Sequence, residues 1–332
     1  MKVYAVLVTY GNRYHLLKEV LSTLLKMKIS KVIIINNNMA EASHQDLSKF
    51  IKKHSKKITL LNQGTNTGSA KGYKTGIEFA VKQKDCEYIW LLDDDNKPYE
   101  NALNELFTAW KNYGTQNNIC LASFREDRPI YKKAVDTGNP NLVLGTKNMY
   151  RSFHMIDTLK KIILKKTKNK IHKNADQIGK IAVTTYGGMF FHKELIDQIG
   201  LPDEDYYLYV DDHEFSYRIT DIGSSLLLVP ESKIEDIEKS WHVKSNSLAF
   251  IKIAKNNNFT QLFYTIRNRI LFEKKALVNN YIMYGINIAI YTVFVIVSAL
   301  IFFRLKNIKI YLLGLFHGLR GKEGIHKDFV LK

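Results

Sequence analysis

Trp90-Leu91-Leu92-Asp93-Asp94-Asp95-Asn96 sets three consecutive carboxylates directly after Tyr88–Leu92, an apolar run that predicts a buried strand. Adjacent acids repel one another, and the arrangement is costly unless a cation sits among them. In an extended segment Asp93 and Asp95 face the same way, offering two hard oxygen ligands to Mg²⁺ or Mn²⁺. Such an ion bridges a diphosphate and stabilises its charge as it leaves. The competing explanation is an acidic turn capping the helix expected over Tyr99–Tyr113.

Outward from this strand, the first 125 residues alternate two patterns. Val3–Val8, Lys31–Ile35, Ile58–Leu61 and Ile119–Ser123 read as strands. Tyr14–Lys26, Ser43–Lys53 and Ser69–Val81 carry apolar residues at helical spacing. The alternation predicts an α/β fold with a mixed, mainly parallel sheet covered on both faces, whose ligands bind beyond the carboxyl ends of the strands. Residues 125–180 break the rhythm with a Gly/Pro/Asn-rich loop and a basic stretch, Ile156–Lys173. Strand patterns return at Ile181–Thr185, Gly187–Phe191 and Ser225–Val229, with helices over Lys193–Ile199 and about Asp212–Thr220. From Leu248 the chain reads as helical to its end.

The other strand ends carry polar clusters. Thr9-Tyr10-Gly11-Asn12-Arg13 follows the first and Asn36-Asn37-Asn38 the second, where Asn suits either a base or ribose contact or a turn. Asn66-Thr67-Gly68-Ser69-Ala70-Lys71-Gly72-Tyr73 follows the third and is neither a dinucleotide fingerprint nor a P-loop. Gly68, Gly72 and Gly76 line one helix face, fitting close approach of a ligand or plain helix–sheet packing, and the helix start near Ser69 is a plausible anion site. In Asp211-Asp212-His213-Glu214, Asp212 is a candidate general base and Arg218 a support for the cluster, although acids also suit a helix start for structural reasons.

The 332 residues carry 49 Lys and Arg against 32 Asp and Glu, a net +17, with 45% hydrophobic content that excludes intrinsic disorder. Two cysteines, Cys86 and Cys120, make neither a disulfide scaffold nor a zinc site and fit a reducing compartment. The first apolar run is too short for a signal peptide and reads as a strand. The excess charge admits nucleic acid, an anionic membrane or phosphorylated substrates. It sits in residues 147–180 and 248–332, together +18, while the rest nets −1. That distribution, without a nucleic-acid-binding motif, argues against a nucleic-acid partner.

In order and spacing these motifs resemble family 2 glycosyltransferases of the GT-A type, from Val3 to about His242. The Asn66–Tyr73 motif, the Asp triplet after Trp-Leu-Leu, Asp211-Asp212-x-Glu214-Phe215 and Trp241-His242 are most similar to bacterial galactofuranosyltransferases. Rhamnosyltransferases share much of the pattern. The resemblance implies a Rossmann-like catalytic domain over 1–245, with a nucleotide-binding half (1–125), a basic insert (147–180) and an acceptor half (181–245). Residues 246–332 would form a helical, membrane-associating region.

The implied reaction is an inverting transfer from a UDP-sugar to a hydroxyl of a growing, lipid-linked surface glycan. Asp93, Asp95 and His242 would hold Mn²⁺ or Mg²⁺, and Asp212 would deprotonate the acceptor. Thr9, Arg13, Asn36, Asn66, Gly68, Lys71, Asp94 and Asp211 would bind nucleotide or substrate; the family commonly has an acid where this chain has Asn36. Transfer of rhamnose from dTDP-rhamnose and a non-catalytic sugar-nucleotide or scaffold protein are the alternatives.

The uncharged run Tyr281–Phe303 is long enough to span a bilayer, but polar residues dilute it and basic residues flank both ends. An in-plane or re-entrant helix therefore fits better than a clean span, and core packing is the other alternative. Lys160-Lys161-Ile-Ile-Leu-Lys165-Lys166 reads as a basic amphipathic helix for lipid headgroups or a lipid pyrophosphate, or as a solvated lysine face. These features place the expected site of action at the cytoplasmic face of a bacterial plasma membrane.

Overall fold

In the computed structural model, residues 1–114, 117–163, 177–238 and 248–331 are described. The first half runs β1 (Val3–Gly11), α1 (Tyr14–Leu24), β2 (Lys31–Met39), α2 (Glu41–Lys53), β3 (Ile58–Asn62), α3 (Gly68–Val81), β4 (Tyr88–Asp93), β5 (Asn96–Pro98), α4 (Ala102–Tyr113) and β6 (Cys120–Arg125). It continues through α5 (Pro129–Asp136), α6 (Met155–Ile163), β7 (Gly179–Lys180), β8 (Met189–His192), α7 (Leu195–Ile199), α8 (Asp211–Asp221) and β9 (Leu226–Asp236). Four helices follow: α9 (Ala249–Ala254), α10 (Phe259–Ala276), α11 (Tyr281–Ile301) and α12 (Leu305–Leu319).

The strands form one sheet in the order β3-β2-β1-β4-β8-β6-β9-β5, with β7 beside β9. β3, β2, β1 and β4 are mutually parallel, as are β6 and β9. β8 runs antiparallel between β4 and β6, while β5 and β7 run antiparallel to β9. Alternate residues of β1 feed opposite faces: Tyr4, Val6 and Val8 pack under α3 residues, and Val3, Ala5 and Leu7 pack with α1. The chain steps outward from β1 to β2 and β3, then returns to place β4 on β1's other side. The carboxyl ends of β1 and β4 are thus a topological switch point, where open α/β sheets bind ligands.

The structure departs from the sequence pattern in several places: that pattern gives no strand at β5, and after α12 ends at Leu319 residues 320–331 are not helical. Ile181–Thr185 is β-branched yet irregular, held by Ala182 N donating to Pro140 O and Thr184 N donating to Ser216 Oγ. The Pro-containing stretch after β6 folds into α5, because Pro129 lies in the first turn, where its missing N–H costs nothing. Of the basic stretch Ile156–Lys173, α6 supplies the part up to Ile163, and residues 164–176 lie outside the described residues.

Candidate active site

β1 and β4 pair with Val8 opposite Asp93, so the residues just beyond both strands meet. Thr9 Oγ1 donates to Asp94 Oδ2 at 2.7 Å, and Arg13 Nε donates to the two Asp94 oxygens at 2.9 and 3.0 Å. Arg13 Nη2 reaches Asp95 Oδ2 at 3.0 Å, and Nη1 pairs with Glu238. Burial pushes the Asp94 carboxyl up, against the pull of Arg13 and Thr9. Asp95 is pushed up to about 7 by burial and then by the neighbouring Asp93 and Asp94 charges.

Asp93 is reached from three elements. Tyr73 Oη, on α3, donates to Asp93 Oδ1 at 2.6 Å. Arg125, at the end of β6, lies with Nη1 3.7 Å from Asp93 Oδ2 and pairs through Nη2 with Asp236. Asn96 Nδ2 donates to Asp236 Oδ1 at 2.7 Å, and Asp93 N donates to Asn96 Oδ1 at 3.2 Å. Gly187 passes so close that a Cβ would collide with Asn96 Oδ1 and come within 2.9 Å of Asp93 Oδ2. Glycine there leaves the Asp93 carboxylate open, consistent with its 41% exposure.

The second acidic cluster opens α8. Ser69 Oγ donates to Asp211 Oδ2 at 2.7 Å, and Asp212 Oδ1 accepts from the His213 amide at 2.8 Å. Burial, then the Asp212 charge, pushes the Asp211 carboxyl up to about 8. Glu214 takes Arg218 through Nε at 2.9 Å and Nη2 at 2.5 Å, and also accepts from Lys275 Nζ of α10 at 2.7 Å. Arg218 thus supports this cluster. Ser69 and Tyr73 are one helical turn apart on α3, so a single turn joins Asp211 to Asp93.

The segment before α8 is strained. Tyr207, Tyr209 and Val210 have φ of +61°, +64° and +67°, costly for side chains of this bulk. Asn268 of α10 holds it, with Nδ2 at 2.7 Å from Tyr206 O, 2.7 Å from Leu208 O and 2.9 Å from Tyr209 O. Arg267 Nε fixes that amide by donating to Asn268 Oδ1 at 2.7 Å. On its other side the segment packs so tightly on Gly68 (φ +79°) that a Cβ there would overlap the Tyr207 carbonyl oxygen.

Of the expected site residues, Thr9, Arg13, Asp93, Asp94 and Asp95 form one cluster, and Gly68 and Asp211 lie next to the segment carrying Asp212. Asn66 Oδ1 accepts from Gly68 N at 3.2 Å, shaping the start of α3. Asn36 lies beside Thr9 in register, but its side chain bonds Asn62 and the Met39 amide. Lys71 points to Glu204, 3.2 Å away. Gly72 and Gly76 pack on Val8 and Val6. His242 lies outside the described residues.

The sequence pattern singles out Arg125, Asp236, Arg267 and Asn268 for no site role, and it groups Asn37 with its neighbours without separating their faces. Asn37 is buried, accepting from Thr67 N at 2.8 Å and donating to Gly68 O at 3.0 Å. Strand alternation puts it on the α3 side, opposite Asn36, which was a usable signal. Arg125 ends a strand and was open to the same strand-end rule.

The donor set suits a hard divalent cation: Asp93 and Asp95 supply carboxylate oxygens at the switch point, and Gly187 leaves Asp93 accessible. Among the described residues no group of three His, Cys, Asp or Glu forms a cage.

Fold and site together define a glycosyltransferase of GT-A architecture. The chain belongs to glycosyl transferase family 2, whose sequence profile matches residues 5–200. It is similar to the dTDP-rhamnosyl transferase RfbF of Shigella flexneri, 24% identical over 327 residues that cover 97% of each chain. Among solved structures it is similar to GalNAc-T7 with UDP, GalNAc and Mn²⁺, at TM-score 0.55 and 15% identity, covering 82% of this chain and 48% of that one. For S. aureus TarS the TM-score is 0.50 at 12% identity, covering 96% of this chain and 55% of that one. The chain spans about half the length of each of these two structures, and at such identities the likeness is one of fold.

Proposed function

We propose that this protein is an inverting glycosyltransferase that moves a sugar from a nucleoside-diphosphate donor to a hydroxyl of a lipid-linked, cell-surface glycan. Its setting is the cytoplasmic face of a bacterial plasma membrane. The observation that carries the reading is the single turn of α3 that ties Asp211 to Asp93 through Ser69 and Tyr73. It links the residue before the candidate base Asp212 to the candidate metal ligand Asp93, which supports a single displacement between the two clusters.

In this reading the acceptor oxygen attacks the anomeric carbon while Asp212 takes the hydroxyl proton. The new C–O bond forms as the bond from that carbon to the diphosphate oxygen breaks on the opposite face, which inverts the configuration. Asp211 and its Ser69 bond orient the start of α8. Arg13 and Thr9 fix Asp94 beside the nucleotide site, and Asn66 shapes the loop around it. Asp93 and Asp95, with His242, would hold Mn²⁺ or Mg²⁺, which supplies charge neutralisation to the departing diphosphate. The Mn²⁺ in the GalNAc-T7 structure supports this choice of ion.

For the donor, near full-length similarity to RfbF favours dTDP-rhamnose. The order of motifs favours UDP-galactofuranose as the second reading. Incubating the protein with each donor, Mn²⁺ and a lipid-linked acceptor, followed by mass spectrometry, decides between them. An added mass of 146 Da marks a deoxyhexose and 162 Da a hexose, roughly, per transfer; bound donor without transfer in any combination overturns the enzymatic reading.

A further inference from the structure

Helix α11 is apolar on the side that faces away from the protein. Its protein-facing side mixes Tyr284, Asn287, Tyr291 and Ser298 with Ile288, Val295 and Ala299, all buried. Asn287 Oδ1 accepts from Met155 N at 2.8 Å and Tyr284 Oη donates to Glu273 Oε2 at 2.9 Å, so these two side chains find their partners inside the protein. The outward side carries Ile282, Ile286, Val293, Val297 and Leu300, each exposed. At 100° per residue these five fall within an arc of about 60° that runs the length of the helix. A stripe of that kind exposed to solvent marks an interaction surface.

The turn into α12 strengthens the point. Phe303 adopts φ +53°, a conformation that disfavours a large side chain, and its side chain is 91% exposed. Leu305, 65% exposed, follows it. Beside them stand Arg304, Lys306 and Lys309, while 281–319 contain no Asp or Glu. Lys255 lies over the Phe302 ring at 3.8 Å, adding another cation to this end.

We propose that the outer face of α11 and the α11–α12 turn form an in-plane docking surface for an anionic lipid bilayer. The apolar stripe enters the acyl boundary, Phe303 and Leu305 insert at the turn, and the cations meet lipid phosphates. The opposite side packs on the protein, with Tyr284, Ile288, Tyr291 and Val295 in its core, so only one side of α11 meets lipid. Charge decides the occupant: a second copy of this chain would bring like basic charges together at Arg304, Lys306 and Lys309, whereas anionic headgroups neutralise them. The surface rests on the membrane setting proposed above, but its test reads lipid binding alone, so it and the glycosyl-transfer reading fail separately.

The test is flotation of the full chain with vesicles of phosphatidylcholine containing phosphatidylglycerol and with vesicles of phosphatidylcholine alone. The wild type floats with the anionic vesicles and at least about tenfold less with the neutral ones. Val293→Asp with Val297→Asp lowers binding to anionic vesicles by about tenfold or more. Arg304→Gln, Lys306→Gln and Lys309→Gln together weaken anionic-vesicle binding roughly 100-fold and leave neutral-vesicle binding unchanged, which keeps the test valid if the first variant misfolds. Wild type that stays at the bottom of both gradients overturns the proposal. So does a lipid-independent dimer that the Asp substitutions convert to monomer while flotation is unchanged, since a second copy then covers the stripe.

Discussion

Asn268→Leu tests whether a helix remote in sequence positions the proposed base. The substitution keeps the branching of a fully buried side chain, adds bulk and removes its polar atoms. The amide has two protons and serves three carbonyls, those of Tyr206, Leu208 and Tyr209. It also accepts from Arg267 Nε. Losing it strands two or more buried carbonyls and one guanidinium N–H, at about 1–3 kcal/mol for each unsatisfied group. Relaxation of the strained segment returns part of that, so a net loss of about 3 kcal/mol is expected. For a chain of this length that corresponds to a fall in Tm of roughly 4 °C.

The kinetic effect should exceed the thermal one, because the freed segment is the one that opens α8 and so sets the position of Asp212. A misplacement of about 1 Å costs on the order of 100-fold in kcat. The donor KM should move less than kcat, since Thr9, Arg13 and Asp94 do not touch this segment, although Asn66 and Gly68 border it. The assay is steady-state transfer below the melting transition, with donor and acceptor varied separately. A lowered Tm with kcat within about twofold of wild type refutes a positioning role and leaves Asn268 a purely structural residue.

Asp212→Asn should abolish transfer while donor binding, read by calorimetry, survives; normal residual turnover removes Asp212 from the base role. Asp211, pushed up to about 8, is protonated in the fold at pH values where the unfolded chain has lost the proton. The fold then binds more protons than the unfolded chain, so stability falls as pH rises from about 4 to about 8. Asp211→Asn should flatten that slope in denaturant melts, and an unchanged slope contradicts the assignment. Gly68→Ala should destabilise by about 3 kcal/mol or more, from the positive φ and the overlap with Tyr207 O, and a Tm within 1–2 °C of wild type, roughly, argues against the tight contact.

Apart from the three-residue β5, the strands and helices of residues 1–125 were legible because periods of 2 and 3.6 alternate there. The strand ends then pointed to Thr9, Arg13 and Asp93–Asp95 by a rule of topology. Other elements escaped because tertiary contacts decided them. Ile181–Thr185 has strand composition, but Ser216 binds both the Thr184 amide and its carbonyl and leaves no strand ladder to join. Strand β9 runs on to Asp236, well past the apolar run ending at Val229, because β5 and β6 supply hydrogen bonds there. That extension brings Asp236 to Arg125 and Asn96, a grouping with no trace in local sequence. Asn268 was hidden most completely, as one polar residue in a helix whose carbonyl partners lie about 60 positions earlier.

The C-terminal helices therefore have two distinct relations to the candidate site residues. A boundary at 245/246 follows composition, with basic, helical sequence after it and acidic strand-end sequence before it. Hydrogen bonds ignore that boundary: Arg267, Asn268 and Lys275 of α10 reach Asp205, Tyr206 and Glu214, and Leu331 N donates to Tyr207 Oη at 2.8 Å. Helix α11, one layer further out, turns its apolar side away from all of this. A chain cut after residue 245 loses the clamp on Tyr206–Val210 together with the apolar face, so its inactivity would not separate the two. Point changes do, because Asn268 sits on the inner layer and Val293 on the outer. Asn268→Leu should lower kcat and leave vesicle binding intact, and Val293→Asp with Val297→Asp should do the reverse.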